Sequence, residues 1–439
     1  MKQLPVIRLF LSKLFSDRAV WLLPVTAFAI VSALALIVIA GARFIAHIPG
    51  DFAVMYISMA VLAVLFLAVP MSALTGAAAK LLARRRDERL SSLRLLGASS
   101  FTVYLVALSE AVVLATTGIL LGVLGYLALM PLVGLLSFGG QPMGVAGLWL
   151  GFPWLASTVG ALILFAAAAS MTGLRKIHVT PLGVRTRQQA SKVHWVRILL
   201  ALGIFLAAQI LAKTAGAFDI AVAVTLTLAA LAVPLVALYF LGPWLLKIVA
   251  ARIQRKTKDV RMLVAARTVL ESPQQAWRQV GGLAATVYIG LVGGAGMAMI
   301  RAATADGFGN GQDAVFFTDV QNGVLLTLLI SFLLVACSVG ITQTAQVLDR
   351  AGLYQGLDKI GMAVPTMNSI RRRAVFTPVW VVLVVAVIGA AVTALPVVGA
   401  AMVLDPLTML VVFGCIGLGL ALLAGGVQAA APTLRRVIA

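Results

Sequence analysis

Residues 84–126 read RRRDERLSSLRLLGASSFTVYLVALSEAVVLATTGILLGVLGY, and two physical regimes meet inside this stretch. Up to Gly97, the leucines Leu90, Leu93 and Leu96 recur at helical spacing among Arg84, Arg85, Arg86, Asp87, Glu88, Arg89 and Arg94, the pattern of a short amphipathic helix in water. Gly97 is the residue type that ends helices in the left-handed conformation. Beyond it the chain is apolar with a single acid, Glu110, for longer than the roughly 20 residues a bilayer core requires. The stretch predicts a helix that leaves the membrane, turns through a short cytoplasmic helix and re-enters.

The rest of the 439-residue chain has the same character: 62% of it is apolar, 11% is charged, and the mean hydropathy is +1.07. Soluble domains hold about 45–50% apolar and about 25% charged residues, so a single globular core and a disordered chain are both excluded. Ten windows are long and apolar enough to span, near 20–42, 53–78, 103–128, 149–170, 195–213, 219–246, 280–300, 321–345, 374–398 and 407–428. The net charge of +20 comes from 34 Lys and Arg against 14 Asp and Glu, and it is unevenly spread. All the basic residues except Arg43, Lys213 and Arg301 fall in the two termini and in loops 79–102, 171–197, 247–279 and 346–373. Cytoplasmic loops collect Lys and Arg, so both termini are expected in the cytoplasm of a multi-pass protein in a bacterial cell membrane. The basicity is then a topology signal and calls for no nucleic acid.

An internal repeat is visible. Leu14-Phe15-Ser16 with Trp21 before the first window parallels Leu270-Glu271-Ser272 with Trp277 before the seventh, and loop 81–99 parallels 346–364, matching Leu93 to Leu357 and Gly97 to Gly361. The reading is an all-α polytopic membrane protein of about ten spans, with an amphipathic arm (1–19), a first four-helix repeat (20–170), a linker holding helices five and six (171–259), a second repeat (260–428) and a cytoplasmic tail (429–439). The arm places Leu4, Ile7, Leu11, Leu14 and Phe15 on one face and Lys2, Arg8, Lys13 and Arg18 on the other, which suits a helix lying on an anionic inner leaflet. Val260 to Leu270 could lie the same way. The first apolar stretch follows a 19-residue arm and is long enough to span, so it is read as an anchor and not as a cleaved leader.

The stretch 84–126 resembles the signature segment of the FtsX-like permease domain, the membrane part of MacB-type ABC transporters. The family pattern of a charged helix ending in LGA, a membrane Glu and a glycine-spaced helix falls on Arg85, Glu88, Leu93, Arg94, Gly97, Ala98, Glu110, Gly118 and Gly122. Two such repeats plus a helix pair are similar to the ten-span permeases of the bacitracin-export type. The resemblance implies two FtsX-like repeats and a chain that is not catalytic alone, working with a separate cytoplasmic ABC ATPase, in two copies, which holds the ATP and Mg. It implies an ATPase contact on Arg84, Arg85, Glu88, Leu93, Arg94, Gly97, Leu357, Lys359 and Gly361; the family often carries a large extracytoplasmic domain, and the short outer loops expected here, 43–52 and 301–320, depart from it by leaving no room for one. The second copy departs from the pattern: Gly352 stands where Glu88 does, Asp358 for Arg94 and Ala374 for Glu110, beside the basic run 371–373.

Other motifs decide less. No Gly-Lys pair exists, so the chain holds no phosphate-cradling P-loop. Cys337 and Cys415 fall inside windows and read as small hydrophobes, and His47, His178 and His194 are too scattered for a metal set. Glu110 is the one acid within a window, read as reaching back to Arg89 or Arg94. Gly118 and Gly122 form a small-residue face, as do the glycines at 290–296. Pro24, Pro70, Pro153, Pro234 and Pro396 are candidate hinges. Asp306, Asp313 and Asp319, in the expected outer loop 301–320 with only Arg301 opposing, form a mildly negative mouth for a cationic amphiphile. The expected activity is export or extraction of an amphipathic peptide antibiotic or lipid-like molecule; a sensor of antibiotic or regulator of a cell-wall hydrolase, and a secondary transporter, are the alternatives.

Overall fold

The computed structural model describes residues 18–50, 52–84, 100–174, 220–305 and 312–438, with isolated positions between 199 and 210. Nearly all of this is helix: α1 (Arg18–Ala46), α2 (Ala53–Arg84), α3 (Ser100–Val133), the five-residue α4 (Gly144–Leu148), α5 (Phe152–Leu174), α6 (Ile220–Lys256), α7 (Val260–Glu271), α8 (Pro273–Ala305), α9 (Gln312–Asp349), α10 (Ala351–Lys359), α11 (Val364–Leu404), α12 (Pro406–Ala429) and α13 (Ala431–Ile438). Seven of them, α1, α2, α3, α8, α9, α11 and α12, are long and apolar enough to cross a membrane among the described residues. The apolar part of α5, Phe152–Ala168, is shorter, and the window 195–213 lies almost wholly outside the described residues. The chain is an all-α polytopic membrane protein.

The helices overrun the apolar windows. α11 starts at Val364 and not near 374, and α9 starts at Gln312 and not near 321. Hydropathy marks where a helix is apolar, whereas a helix once nucleated propagates at the gain of one hydrogen bond per residue. Consequently Asp313 and Asp319, expected in an outer loop, are helical, and so are Arg371, Arg372 and Arg373.

The described residues fall into two compact units. In the one drawn from 1–40, 71–135 and 144–188, α3 lies on α1 through the expected small-residue face: a Cβ on Gly118 would meet Phe28 Cβ at 2.6 Å, and one on Gly122 would overlap Ser32. Tyr126 fixes the turn after α4, donating its hydroxyl to the Leu148 carbonyl at 2.5 Å and accepting from the Leu150 N–H.

The second unit, from 41–70, 136–143 and 189–439, is a bundle around α8, whose apolar window is 83% buried. Leu283, Val287 and Leu291 of α8 meet Phe332, Val335 and Val339 of α9, Val379, Val382 and Ala386 of α11, and Val412, Ile416 and Leu423 of α12. Helices in lipid associate through close packing, and Gly426 of α12 lets the Ala336 carbonyl of α9 approach to 2.6 Å of where its Cβ would stand. α6 joins this core through Leu235, Leu238 and Leu246, with Gly242 seated against the buried Trp277. Of the candidate hinges, Pro396 lies beside a real break: Ala394, two residues before it, is non-helical (φ −134°, ψ 27°), and proline lacks the N–H that would continue the helix hydrogen bonding there. Pro153 instead opens α5.

Candidate functional site

The second unit carries two polar constellations, one at each end of α9. At the C-terminal end, α10 is a nine-residue helix set off from α9 by Arg350. Its stop is built by Gly361, whose φ of +87° lies in the left-handed region. The Gly361 N–H donates to Asp358 O at 2.8 Å and the Met362 N–H to Leu357 O at 3.0 Å, the paired bonds that satisfy the last carbonyls of a helix ended by glycine. Leu357 and Tyr354 are half-buried against Val347, Met367 and Leu434, so this apolar edge is covered by α9, α11 and the tail helix α13. The opposite face is bare: Leu353 is 56% and Ile360 77% exposed, with Gly352 and Gly356 open beside them and Lys359 exposed. Leu357 thus braces the helix against its own chain, while Leu353 and Ile360 stay exposed. Sequence reasoning missed that pair, because both edges of α10 have helical spacing.

Beneath α10, Arg371 of α11 is only 7% exposed. Its Nη2 donates to Asn368 Oδ1 at 2.8 Å and to the Val427 carbonyl at 3.0 Å, while Nε and Nη1 are buried without an acceptor. Burial pushes the Tyr354 hydroxyl up, and the nearby Arg350 and Arg371 charges pull against it. Two residues on, Arg373 Nη1 is hydrogen-bonded to the exposed Asp259 Oδ2, and Asp259 Oδ1 caps α7 by accepting from the Arg261 N–H at 2.9 Å. The Arg373 contact is the main reason the Asp259 carboxyl is held below the usual carboxylate range. α7 is fixed to α11 at this point, with Ala265, Ala266 and Val269 buried.

At the other end, Asp319 lies seven residues into α9 and is 2% exposed. Its Oδ2 accepts from the Tyr56 hydroxyl at 2.6 Å and from the Gly139 N–H at 2.7 Å. Gly139 and Gly140, with φ of +66° and +76°, form the two-residue turn of a hairpin that pairs Phe138 with Gln141. Asn322, one turn on, donates to the Ser137 carbonyl at 3.0 Å. Phe316 stacks on Phe52 at 4.7 Å and meets Tyr56 edge-on. α9 therefore clasps the hairpin 137–142 and the start of α2 through one carboxylate. Asp319 is not a solvated charge at a mouth, since the helix carries it inward and two donors consume its acceptor. Arg301, expected to oppose these acids, lies 3.9 Å from Asp405, which caps α12 through Thr408. The clasp was missed although Gly139-Gly140 is a hairpin signal.

Of the remaining predicted residues, Arg84 ends α2, Asp313 lies in the first turn of α9, and Arg85, Glu88, Leu93, Arg94, Gly97 and Asp306 fall outside the described residues, as do Arg89 and Arg94 as proposed partners of Glu110. Glu110 is buried within α3 at 8% exposure. Cys337 and Cys415 are half-buried free thiols. Among the described residues no group of three His, Cys, Asp or Glu is placed to hold a metal. Comparison of the chain with family models, curated proteins and solved structures gives no match.

Proposed function

We propose that the chain is the membrane subunit of an ATP-driven transporter of the FtsX-like, MacB type, moved by a separate cytoplasmic ATPase dimer that supplies ATP and Mg. In this reading ten spans form two four-helix repeats, the first being α1, α2, α3 and α5 and the second α8, α9, α11 and α12, joined in sequence by a pair that includes α6. Both termini and α10 face the cytoplasm. The observation that carries the reading is α10 itself, a short helix between two spanning helices, braced on one edge and bare on the other. The bare edge offers Leu353 and Ile360 to a docking protein, and the braced edge would pass a push from that protein into α9 and α11.

The route onward is one continuous rod. From Asp349 back to Asp319, α9 is unbroken, a distance of about 45 Å at 1.5 Å per residue. A displacement of α10 would therefore arrive at the carboxylate that holds Tyr56 and the hairpin 137–142, and would loosen or tighten the clasp. An opening of this kind beside an aromatic cluster favours an amphipathic cargo moved at the outer leaflet over a soluble one.

Purification of the tagged chain in lipid nanodiscs tests the proposal. The reading predicts a stoichiometric ATPase whose hydrolysis rate rises on association. Proton-driven uptake by the chain alone would refute it in favour of a secondary transporter.

A further inference from the structure

Among the described residues no carboxylate is hydrogen-bonded to the buried Arg371 guanidinium. Asn368 and the Val427 carbonyl, both neutral, occupy Nη2 alone, and Nε and Nη1 are enclosed without an acceptor. A buried cation is ordinarily paired or bound to an anion, since removal from water is otherwise uncompensated. Arg372 is the next residue, and the Arg350 and Arg371 charges both act on the Tyr354 hydroxyl. Exposed Lys359, Arg435 and Arg436 lie on α10 and α13 at the same end of the bundle, with the exposed acids Asp349 and Asp358. Below them lies a packed apolar cluster: Val347, Met367 and Leu434, with Tyr354 and Ile438.

We infer that Arg371, with Arg350 and the Tyr354 hydroxyl, forms a site for a phosphate-bearing anion, filled by the headgroup of an anionic phospholipid. Arg371 Nε and Nη1, left without acceptors, can each donate a charge-assisted bond to a phosphate oxygen, and the exposed arginines attract the charge. The choice of a lipid rests on the reading of this end as the inner-leaflet face; the anion chemistry does not. Nε and Nη1 are closed to solvent, so the anion enters by local displacement of the side chains that enclose them.

The test uses the full chain in nanodiscs of phosphatidylcholine alone or mixed with phosphatidylglycerol, with retained lipid counted by native mass spectrometry. The wild type should keep one phosphatidylglycerol after detergent extraction, and R371Q should hold it about tenfold or more weakly for each charge-assisted hydrogen bond lost. R255Q, an exposed arginine of α6 that takes no part in the site, should keep it. R350Q serves as the second variant should R371Q fail to fold, and it should weaken retention several-fold. A parallel titration of delipidated protein with inorganic phosphate separates the sources: a thermal shift that depends on Arg371 at millimolar phosphate makes the ligand free phosphate at the same site. Retention unchanged in both R371Q and R350Q, or no binding of either probe to the wild type, overturns the inference.

Discussion

Substitution of Asp319 by alanine removes the acceptor that joins α9 to the hairpin 137–142 and to α2. Two bonds are lost, from the Tyr56 hydroxyl at 2.6 Å and the Gly139 N–H at 2.7 Å. Hydrogen bonds to a charged group contribute about 1.5–3 kcal/mol each. The Gly139 amide reports one of them, so its hydrogen exchange should quicken about 10- to 150-fold when local opening precedes exchange. Asp319→Asn keeps an oxygen and a neutral bond of about 0.5–1.5 kcal/mol, which leaves a smaller acceleration of roughly three- to thirtyfold. Tyr56→Phe deletes the other bond and should move Gly139 less than either change. Exchange measured by mass spectrometry on nanodisc-embedded protein resolves these three levels. A Gly139 rate in Asp319→Ala within about twofold of the wild type, equivalent to well under 1 kcal/mol, would show that the carboxylate does not hold the hairpin.

Further outcomes are expected elsewhere in the chain. Gly361→Ala forces a side chain into the left-handed region at φ +87°, costing about 1 kcal/mol and quickening exchange at the Leu357–Met362 helix stop, while Gly356→Ala, in open space, should not. Gly426→Leu cannot be accommodated where the Ala336 carbonyl stands 2.6 Å from the Cβ position, and overpacking of about 1–3 kcal/mol should appear as lower melting temperature and yield. The Asp259 carboxyl is held low by Arg373, so its contribution is complete above the ordinary carboxylate value of about 3.9 and is lost as pH falls through the lower folded value; exchange in α7 should rise below that point in the wild type, and the rise should be absent in Asp259→Asn. If the proposed complex forms, Glu110→Ala should abolish the chain's stimulation of the partner ATPase, read as hydrolysis with and without the chain.

Length and composition made the membrane class and the long helices legible, because apolar runs near 20 residues have few other stable fates. The helix ends were not legible. Arg371 reads as a loop residue by charge, yet its guanidinium is buried beside the Val427 carbonyl, 56 positions away, and no local pattern announces that. Asp319 likewise looked like a solvated acid, because Tyr56 and Gly139 lie 263 and 180 positions from it. Gly361 was legible as a helix stop through its match with Gly97, whereas the direction in which α10 turns its apolar edges is set by α13, whose contacts the repeat pattern does not encode.

The central claim is that α10 is where a second protein pushes, and site-directed cross-linking from its bare edge tests it most directly. Leu353→Cys or Ile360→Cys, in a chain with Cys337 and Cys415 replaced by alanine, should capture a nucleotide-binding subunit in cell membranes, and the yield should change on adding ATP. Leu357→Cys, on the braced edge, should capture none. Equal capture from both edges, or no ATPase captured from Leu353→Cys and Ile360→Cys in chains that fold, would contradict the account.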